Sequence, residues 1–407
     1  MTNIEKDPYK GVRDFYPEDM ASQNHIINTM RKTAESFGYI EYSASVLEPA
    51  ELYRAKSGEE IVNEQTYTFT DRGGRDVTLR PEMTPTLARM IAKKKKELAF
   101  PIRWYSIPNL FRYERPQKGR LREHWQLNVD IFGVEDISAE TEIIEVASNI
   151  MRNFGVIDDN FEIRINDRAL IDETLKEMRL NEDQAYRMKK LLDKKNKIDN
   201  FQEEADNIAG KEFNFNPKPS KQITDVINTL KSRGISNTVF DPYLMRGFDY
   251  YTGIVFEVFD KSPENNRSLF GGGRYDRLLE IFGEEKIPAM GFGMGDVTMR
   301  DVLETYNLIP EYRSSTDLYI CTVDQDSIPE SDKIADILRK NGVNVAVDKS
   351  GKKIGSQIEY ADKKNIPFVI CIGKDEIDSE QYKLKNLKTG EENSVAIDEI
   401  PNTIKRK

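Results

Sequence analysis

Cysteine and histidine are scarce in this chain of 407 residues, which contains two of each. Cys321 and Cys371 are too few for a disulfide framework or a zinc knuckle. His25 and His124 have no nucleophile motif around them, which excludes a Ser-His-Asp or Cys-His catalytic centre. No apolar run approaches the roughly 20 residues that span a bilayer, and the charged N-terminus lacks the apolar stretch of a signal peptide. The expected location is therefore the cytoplasm, without membrane contact.

Acidic residues outnumber basic residues, 70 to 60, which gives a formal net charge of −10. A negative balance disfavours nucleic-acid binding, but phosphate contacts depend on local patches rather than on net charge. Basic patches occur at residues 93–96, 115–122 and 405–407, and a solvated surface is the simpler explanation of each. Charge alone leaves RNA binding open, while the length predicts two or three domains.

The character of the sequence changes along the chain. The first block has helix signals and then strands joined by tight loops, as in TYTFT-DRGG-RDVTL, so its sheet is predicted to be mainly antiparallel. A Lys- and Glu-rich helical stretch, interrupted by NFNPKPS, follows as an inserted domain might. The last block alternates strands and helices, which predicts βαβ units with Cys321 and Cys371 as buried structural thiols. The predicted units are a core at 1–167 and 233–309, an insertion at 168–232 and a C-terminal domain at 316–407.

The most informative segment is PNLFRYERPQKGRLREHWQLNVDIFG, residues 108–133, which is typical of two strands joined by a long basic loop. Because alternate residues of a strand share a face, its apolar residues should point to a core and its polar residues away from it. The apolar set is Trp125, Leu127, Val129 and Ile131, and the polar set is His124, Gln126, Asn128 and Asp130, with Arg112 and Glu114 on the preceding strand. A solvated sheet surface and a binding surface both fit this pattern.

Three further polar clusters favour the binding surface. Glu82 and Thr84 follow a proline where a helix opens, in LRPEMTPTLARM. Arg246, Tyr250 and Tyr251 precede a strand, in LMRGFDYYTGIVFEVF. Glycines in LFGGGRYDRLLEIFG and PAMGFGMGDVTMRDVLE let a backbone approach a ligand closely, although their spacing fits neither a P-loop nor a dinucleotide-binding fingerprint.

In chain order, these segments resemble the histidyl-tRNA synthetases, a family of class II aminoacyl-tRNA synthetases. FRYERPQKGR with REHWQLNVDIFG resembles motif 2, and LMRGFDYYTG and GGGRYDRLLE resemble the two histidine-specific signatures. KGVRDFYPED resembles the N-terminal opening, FGYIEYSASVLEP motif 1, and DKSGKKIGSQIEYADKKNIPFVICIG the anticodon-binding domain. The resemblance implies an α+β fold: a class II antiparallel sheet flanked by helices, a helical insertion and a C-terminal α/β anticodon-binding domain.

The resemblance also implies a two-step reaction. Histidine would react with ATP to give an adenylate and pyrophosphate, and the histidyl group would then move to the 3′ end of tRNA(His). Arg112 and Arg246 match the arginines at the α-phosphate, where fixed cations stabilise developing charge. Magnesium would accompany ATP without a metal site of the protein's own, and the chain would form a homodimer.

Each remaining site residue is likewise implied by its place in a motif. The residues implied at ATP are Arg112, Glu114, Arg120 and Arg300; at histidine, Glu82, Thr84, Gln126, Asp130, Arg246, Tyr250, Tyr251 and Tyr275; and at the tRNA acceptor end, Arg115 and Gln117. A structural salt bridge is the plain alternative for each arginine, and core packing is the alternative for each tyrosine.

Two positions depart from the family pattern. The family usually has glutamate at the position of Asp130, whose side chain is one methylene shorter. Motif 3 usually carries Glu-Arg after GxGxG and one residue, where this chain has Val297 and Thr298. Arg300 follows two residues later, about 200° round a helix, so either the helix starts differently or another cation serves.

Non-catalytic relatives are the alternative interpretation. The regulatory subunit of ATP phosphoribosyltransferase resembles the same core but generally lacks the anticodon domain and the Arg-Gly-x-Asp-Tyr-Tyr signature, both of which are present here. The altered motif 3 is the one feature in its favour. A binding module derived from a synthetase would lose Glu82, Arg112 or Arg246, and all three are present. The sequence therefore favours a ligase.

Overall fold

The computed structural model divides the chain into two compact units, Met1–Ile309 and Pro310–Lys407. It describes residues 4–54, 65–195, 198–245, 250–265 and 268–405. Within those ranges, no helix combines the length and the apolar character that are needed to cross a membrane.

Helices and strands of the first unit are numbered here in chain order. The helices are α1 Pro17–Ser36, α2 Ala50–Arg54, α3 Thr84–Lys94, α4 Ser138–Asn153, α5 Arg168–Glu177, α6 Glu182–Leu192, α7 Phe201–Ala209, α8 Lys221–Ser232 and α9 Asp296–Thr305. The strands are β1 Ile40–Glu41, β2 Leu47–Pro49, β3 Tyr67–Thr70, β4 Asp76–Leu79, β5 Ile102–Ser106, β6 Asn109–Phe111, β7 Glu123–Phe132, β8 Phe161–Asp167, β9 Thr238–Phe240, β10 Ile254–Asp260, β11 Ser268–Arg274 and β12 Ala289–Gly295.

Nine of the described strands form a central sheet. Its order is β1-β5-β7-β12-β11-β10-β8-β9, and β6 pairs with the first residues of β7. From β5 to β8 in this order every pairing is antiparallel, whereas the outer pairs β1–β5 and β8–β9 are parallel. The predicted antiparallel sheet of an α+β fold is therefore confirmed.

The larger apolar core of the first unit lies between one face of this sheet and the helices α1, α4, α8 and α9. Alternation along β7 places Leu127, Val129 and Ile131 in this core, as predicted from the sequence. Trp125 is an exception: it is half-buried and packs edge-on against Phe15, at 5.4 Å between ring centroids. The N-terminal end of β7 is thus covered by the segment before α1 instead of by the main apolar core.

The predicted hairpin forms, but it lies outside the central sheet. Strands β3 and β4 pair antiparallel, and β2 pairs with the other edge of β4 in a separate three-stranded sheet. The Asp71 carboxylate holds the tight turn by accepting from the backbone N–H groups of Gly73 and Arg75, at 2.8 and 2.9 Å. Local turn chemistry predicts that two strands pair with each other, but it contains no information about the sheet they join.

Helices α5, α6 and α7 enclose a small apolar cluster of their own. Its buried members are Ile171, Leu175, Met188, Leu191, Leu192, Ala205, Ala209, Phe213 and Phe215. Helix α8 also falls within the range predicted for the insertion, yet it packs Val226 and Leu230 into the core under the central sheet. The buried residues of the separate cluster therefore lie between positions 171 and 215.

The second unit is an α/β domain with a five-stranded sheet. Its elements are α10 Ile328–Lys340, α11 Ile354–Lys363, α12 Lys374–Ser379, α13 Ile400–Lys405, β13 Leu318–Thr322, β14 Val345–Val347, β15 Phe368–Ile372, β16 Tyr382–Asn386 and β17 Glu392–Val395. The order is β14-β13-β15-β16-β17, with the first three strands parallel and the last two antiparallel to their neighbours. Cys321 and Cys371 are register partners on β13 and β15; Cys321 is buried, as predicted, and Cys371 is half-buried.

A buried ion pair at the end of β11 yields a stability prediction. The guanidinium of Arg274 contacts Glu140 of α4, with Nη2 2.7 Å from Oε2, and the two side chains are 7% and 0% exposed. Removing the carboxylate leaves this buried cation with only its longer ion pair to Asp276, at 3.3 Å, so Glu140→Ala should lower the free energy of unfolding by about 3 kcal/mol in urea denaturation. The exposed pair Arg31–Glu41 is the control, and Glu41→Ala should change it by less than about 1 kcal/mol. Equal losses in the two variants would contradict this prediction.

Candidate functional site

A single cleft in the first unit collects polar residues from several segments of the chain. Its empty space, including the part open to solvent, is about 530 Å³. Its lining residues are Glu82, Thr84, Arg112, Gln126, Asn128, Asp130, Tyr250, Tyr251, Gly271, Tyr275, Gly291, Phe292 and Gly293. Every residue that the sequence predicts at histidine lies here except Arg246, which falls outside the described residues.

The polar face of β7 and the glycines of β12 form one wall of this cleft. Gly291 is the register partner of Asp130. A Cβ at Gly291 would lie 2.1 Å from Asp130 Oδ1, and a Cβ at Gly293 would lie 2.5 Å from Gln126 Nε2. Because glycine has no side chain, these positions of β12 leave the space into which the polar side chains of β7 extend.

Asp130 and Tyr275 form a buried hydrogen-bonded pair. The Tyr275 hydroxyl donates to Asp130 Oδ1, and both residues are almost entirely buried. Burial raises the pKa of the Asp130 carboxyl to about 7, although the hydrogen bond from Tyr275 opposes this shift. Burial and the nearby carboxylate raise the pKa of Tyr275 well above its usual value, so its hydroxyl remains a donor. This pair can therefore recognise a small polar ring that itself titrates near neutrality.

A second acidic side chain, Glu82, stands just before helix α3. It is buried, and its Oε2 accepts from the Tyr250 hydroxyl at 3.3 Å. The same hydroxyl lies 3.4 Å from Thr84 Oγ1, and the rings of Tyr250 and Tyr251 are 4.9 Å apart. The cleft thus contains two separate carboxyl groups, an arrangement suited to a ligand with both an ammonium group and a basic ring.

Arg112 is the cation that lines the cleft within the described part of the chain. Its Nε donates to the carbonyl oxygen of Pro81 at 2.9 Å. This bond holds the guanidinium beside the residue that directly precedes Glu82. Within the described ranges, its terminal nitrogens make no hydrogen bond. They are therefore available to paired oxygens of an anionic ligand.

The loop between β6 and β7 carries four further predicted residues, and the structure leaves them outside the cleft lining. Glu114 is half-buried, and its Oε2 lies 3.8 Å from Nε of the exposed Arg120. Arg115 and Gln117 are exposed. The backbones of Gln117 and Arg120 pair with each other, which closes the tip of the loop.

Arg300 lies on α9 and is engaged by two ion pairs. Its Nη2 is 3.1 Å from Asp19 Oδ1, and its Nε is 3.0 Å from Glu304 Oε1. It does not line the cleft. Helix α9 begins at Asp296, so Thr298 occupies its first turn and donates its hydroxyl to the Leu269 carbonyl at 3.0 Å. Recruitment of Arg300 by a nucleotide would require both of its ion pairs to break.

Two polar residues, Asn128 in the cleft lining and Asp296 beside β7, have no role predicted from the sequence. Asn128 lines the cleft and accepts from Gln126 Nε2 at 2.7 Å, and its place on the polar face of β7 was the available signal. Asp296 is buried beside β7, and no motif marks it. His124 has no predicted role; burial, then the charges of Arg112 and Arg13, lower its pKa to about 3, so its ring is neutral.

Comparison with known proteins matches both units. A model of the histidyl-tRNA synthetase family matches residues 11–213 and 217–296, and an anticodon binding domain matches residues 317–407. The histidine–tRNA ligase of Leptospira biflexa is 42% identical to this chain, over 98% of this chain and 97% of its own length. That of Thermoplasma volcanium is 36% identical, over 96% of each chain.

Solved structures show the same fold. A histidyl-tRNA synthetase from Nostoc has a TM-score of 0.80 at 23% identity and covers 99% of both chains. The apo enzyme from S. aureus has a TM-score of 0.74 at 25% identity, covering 99% of this chain and 100% of its own. A Bacillus halodurans protein described as an ATP phosphoribosyltransferase regulatory subunit/histidyl-tRNA synthetase has a TM-score of 0.72 at 24% identity. Identities below 25% carry information on the fold alone.

The antiparallel sheet, the cleft on its polar face and the family match lead to one assignment. This chain belongs to the histidyl-tRNA synthetase family of class II aminoacyl-tRNA synthetases. The regulatory-paralogue interpretation is not favoured, because the relatives at 36–42% identity are ligases and match nearly the whole chain, including the anticodon binding domain.

Proposed function

We propose that this chain is a histidine–tRNA ligase, which activates histidine with ATP and transfers it to the 3′ end of tRNA(His). The observation that carries the proposal is the meeting of the Asp130–Tyr275 pair, Glu82 and Arg112 in one cleft. These groups come from separate segments of the chain. Together they fit a ligand that has a titratable ring, an ammonium group and a carboxylate, with the phosphate of a second ligand beside that carboxylate.

In the first step, a carboxylate oxygen of histidine attacks the α-phosphorus of ATP. The bond between that phosphorus and the bridging oxygen breaks, and pyrophosphate leaves with the electron pair. Negative charge develops on the α-phosphate oxygens, where fixed guanidinium groups stabilise the transition state. We assign this role to Arg112 and to Arg246, which lies outside the described residues. In the second step, a ribose hydroxyl of the tRNA attacks the acyl carbon and AMP leaves.

Selection of histidine is assigned to buried polar groups. Asp130 and Tyr275 would bind the ring, with Oδ1 of the carboxyl occupied by Tyr275 and Oδ2 left for the ligand. A wrong amino acid would leave these groups unpaired, which such a site penalises strongly. The remaining assigned residues are Glu82, Thr84 and Gln126 at the ammonium or carboxylate end, and Tyr250 and Tyr251 beside the ring.

The outer part of ATP and the tRNA are assigned to the loop between β6 and β7. Glu114 and Arg120 would face the adenine and the outer phosphates, and Arg115 and Gln117 the acceptor end of the tRNA, where splayed bases suit such side chains. Magnesium would accompany ATP and neutralise part of its phosphate charge, as expected for a site in which the protein supplies at most one or two carboxylates. Among the described residues, no cluster of three or more His, Cys, Asp or Glu could form a dedicated metal site.

We also propose the domain organisation and assembly expected from the sequence: a core at 1–167 and 233–309, an insertion at 168–232 and an anticodon-binding domain at 316–407, in a cytoplasmic homodimer. Exposed apolar side chains in and beside motif 1 support the dimer. Ile40, Leu47 and Phe69 are 66%, 42% and 49% exposed in the chain taken alone. Such a surface suits burial against a second copy.

Histidine-dependent ATP–pyrophosphate exchange tests the proposed function. We expect labelled pyrophosphate to enter ATP when histidine is present. Phenylalanine and glutamine, at the same concentration, should support no exchange, because neither offers a polar ring to Asp130 and Tyr275. An absence of exchange with histidine would favour the non-catalytic regulatory interpretation.

The raised pKa of Asp130, about 7, predicts a pH dependence of histidine recognition. The ionised carboxylate is the better acceptor for a ring N–H, so the KM for histidine should fall as the pH rises from about 6 to about 8. Asp130→Asn should raise this KM about 10–100-fold and flatten the component that titrates near pH 7. An unchanged pH profile in Asp130→Asn would contradict the assignment.

The same pKa shift affects the stability of the protein without ligand in the opposite direction. The folded state binds the proton of Asp130 more tightly than the unfolded state does, so the contribution of Asp130 to the free energy of unfolding falls as the pH rises from 3.8 to about 7.

A further inference from the structure

A buried hydrogen-bond cluster lies at the start of α9 and contains no residue assigned above. Asp296, 1% exposed, is its centre. The carboxylate accepts from Arg13 Nη2 at 2.7 Å, from Gln23 Nε2 at 2.9 Å and from the backbone N–H of Trp125 at 2.9 Å. One side chain therefore joins α9 to the segment before α1, to α1 itself and to β7.

The cluster is next to the proposed ATP site. Trp125 stands between His124 and Gln126 on β7, and Gln126 lines the cleft. The guanidinium groups of Arg112 and Arg13 both act on His124 and lower its pKa. Because the imidazole is neutral, it neither repels these cations nor competes with an anionic ligand for them. Arg13 is therefore close enough for its charge to add to the positive electrostatic potential that Arg112 produces in the cleft.

Its present contacts leave Arg13 only partly satisfied. A guanidinium has five N–H donors, and the pair with Asp296 engages Nη2. Arg13 Nε is buried without a hydrogen-bond partner among the described residues, and the side chain remains 19% exposed. The ring of Phe15 supports the guanidinium at 4.9 Å. The exposed part of the guanidinium, with donors that Asp296 does not engage, therefore suits the oxygens of an anionic ligand.

Arg13 differs from Arg300 and Arg120, two arginines that the sequence predicts at ATP. Arg300 is held by Asp19 and Glu304 outside the cleft. Arg120 is 61% exposed on the loop between β6 and β7, so solvent screens its charge. Arg13 combines partial burial, a fixed position and free donors, which are the properties that make a cation effective against a phosphate.

We propose that Arg13 is a further ATP-binding residue, which donates to phosphate oxygens, and that Asp296 and Gln23 position it. The inference rests on the proposed function, since it takes ATP as a ligand of the cleft. It places a cation beside the first turn of α9, where Val297 and Thr298 replace the expected Glu-Arg. The phosphate contact would come from the N-terminal segment and not from α9.

Two variants with uncharged side chains in place of Asp296 and Arg13 test the role of Arg13 at ATP. Arg13→Gln alone would leave Asp296 as a buried unpaired charge and could unfold the protein, so Asp296→Asn is the reference. In that variant, Gln23 can turn its presently unpaired Oε1 toward the new amide. Because the amide removes the charged acceptor that holds Arg13, we expect Asp296→Asn to raise the KM for ATP in pyrophosphate exchange about three- to tenfold. Adding Arg13→Gln should raise it about 10–100-fold, with the KM for histidine within about threefold.

Two further measurements make the outcome decisive. Arg31→Gln removes an arginine of α1 that pairs with Glu41, and it should leave the KM for ATP unchanged. The Kd for a non-hydrolysable ATP analogue, measured by calorimetry, should follow the same order among the variants. Equal affinity for ATP in Asp296→Asn and in the double variant overturns the inference, as does no binding of the analogue by the parent. A parent that binds the analogue but shows no exchange overturns the proposed function instead, and the calorimetric comparison still decides the role of Arg13.

Discussion

Gly291→Ala is expected to lower kcat/KM for histidine in pyrophosphate exchange by about 100-fold or more. A methyl group at this position would lie 2.1 Å from Asp130 Oδ1 and 2.8 Å from the carbonyl oxygen of Val129. The Asp130 carboxyl is already fixed in a buried pair with Tyr275, so it has to leave its position or displace its own strand. Either movement removes the proposed ring contact, and the loss should appear mainly in the KM for histidine.

Gly295→Ala, at the end of the same strand, is the matched control. A Cβ there would make no close contact, because its nearest neighbours, His124 Cδ2 and Thr298 Oγ1, would lie 3.9 Å away. Its φ of −79° is accessible to alanine. The KM for histidine should therefore stay within about threefold of the parent value. A Gly291→Ala protein that folds normally and keeps the parental KM would show that Asp130 does not hold the ring.

Arg112→Ala is expected to lower kcat of exchange about 10²–10³-fold, because it removes a fixed cation aimed at the charge that develops on the α-phosphate. The KM for histidine should change far less, since the ring and ammonium contacts are made by other residues. Arg112→Lys should recover only part of the rate, because an ammonium cannot pair with two oxygens in one plane. Single-turnover formation of the adenylate measures the step without interference from product release.

Arg103→Ala on the neighbouring strand β5 is the control for Arg112→Ala. Arg103 forms an ion pair with Glu142 of α4, with Nε 2.7 Å from Oε1, and it does not line the cleft. Its loss should cost stability but leave kcat within about threefold of the parent. The proposed role of Arg112 is wrong if both variants lose activity to the same extent at equal folded fraction.

The polar wall of the cleft could be predicted from the sequence because one strand contains most of it. Alternation along β7 assigns Gln126, Asn128 and Asp130 to one face without knowledge of any other element, and the structure places all three at the cleft. For the glycines of β12 the sequence predicts a close approach of the backbone to a ligand, whereas the structure shows that Gly291 and Gly293 leave space for the side chains of Asp130 and Gln126. Local periodicity therefore predicted this part of the site.

Contacts between distant segments could not be predicted in the same way. Asp296 meets Arg13 across 283 residues and Gln23 across 273, and neither pairing leaves a local pattern in the sequence. Asp19 likewise engages Arg300 only once α1 and α9 are side by side, whereas its other partner, Glu304, is four residues further along the same helix. Side-chain partners of this kind depend on packing that only the complete fold defines.

Recognition of an imidazole by paired acidic and phenolic groups in one cleft is the central claim of this account. A crystal structure of the protein with L-histidine bound tests it most directly. The account predicts electron density for the ring within hydrogen-bond distance of Asp130 or Tyr275, with the α-ammonium group near Glu82. Density for histidine at another place, or a ring that contacts neither Asp130 nor Tyr275, would contradict it.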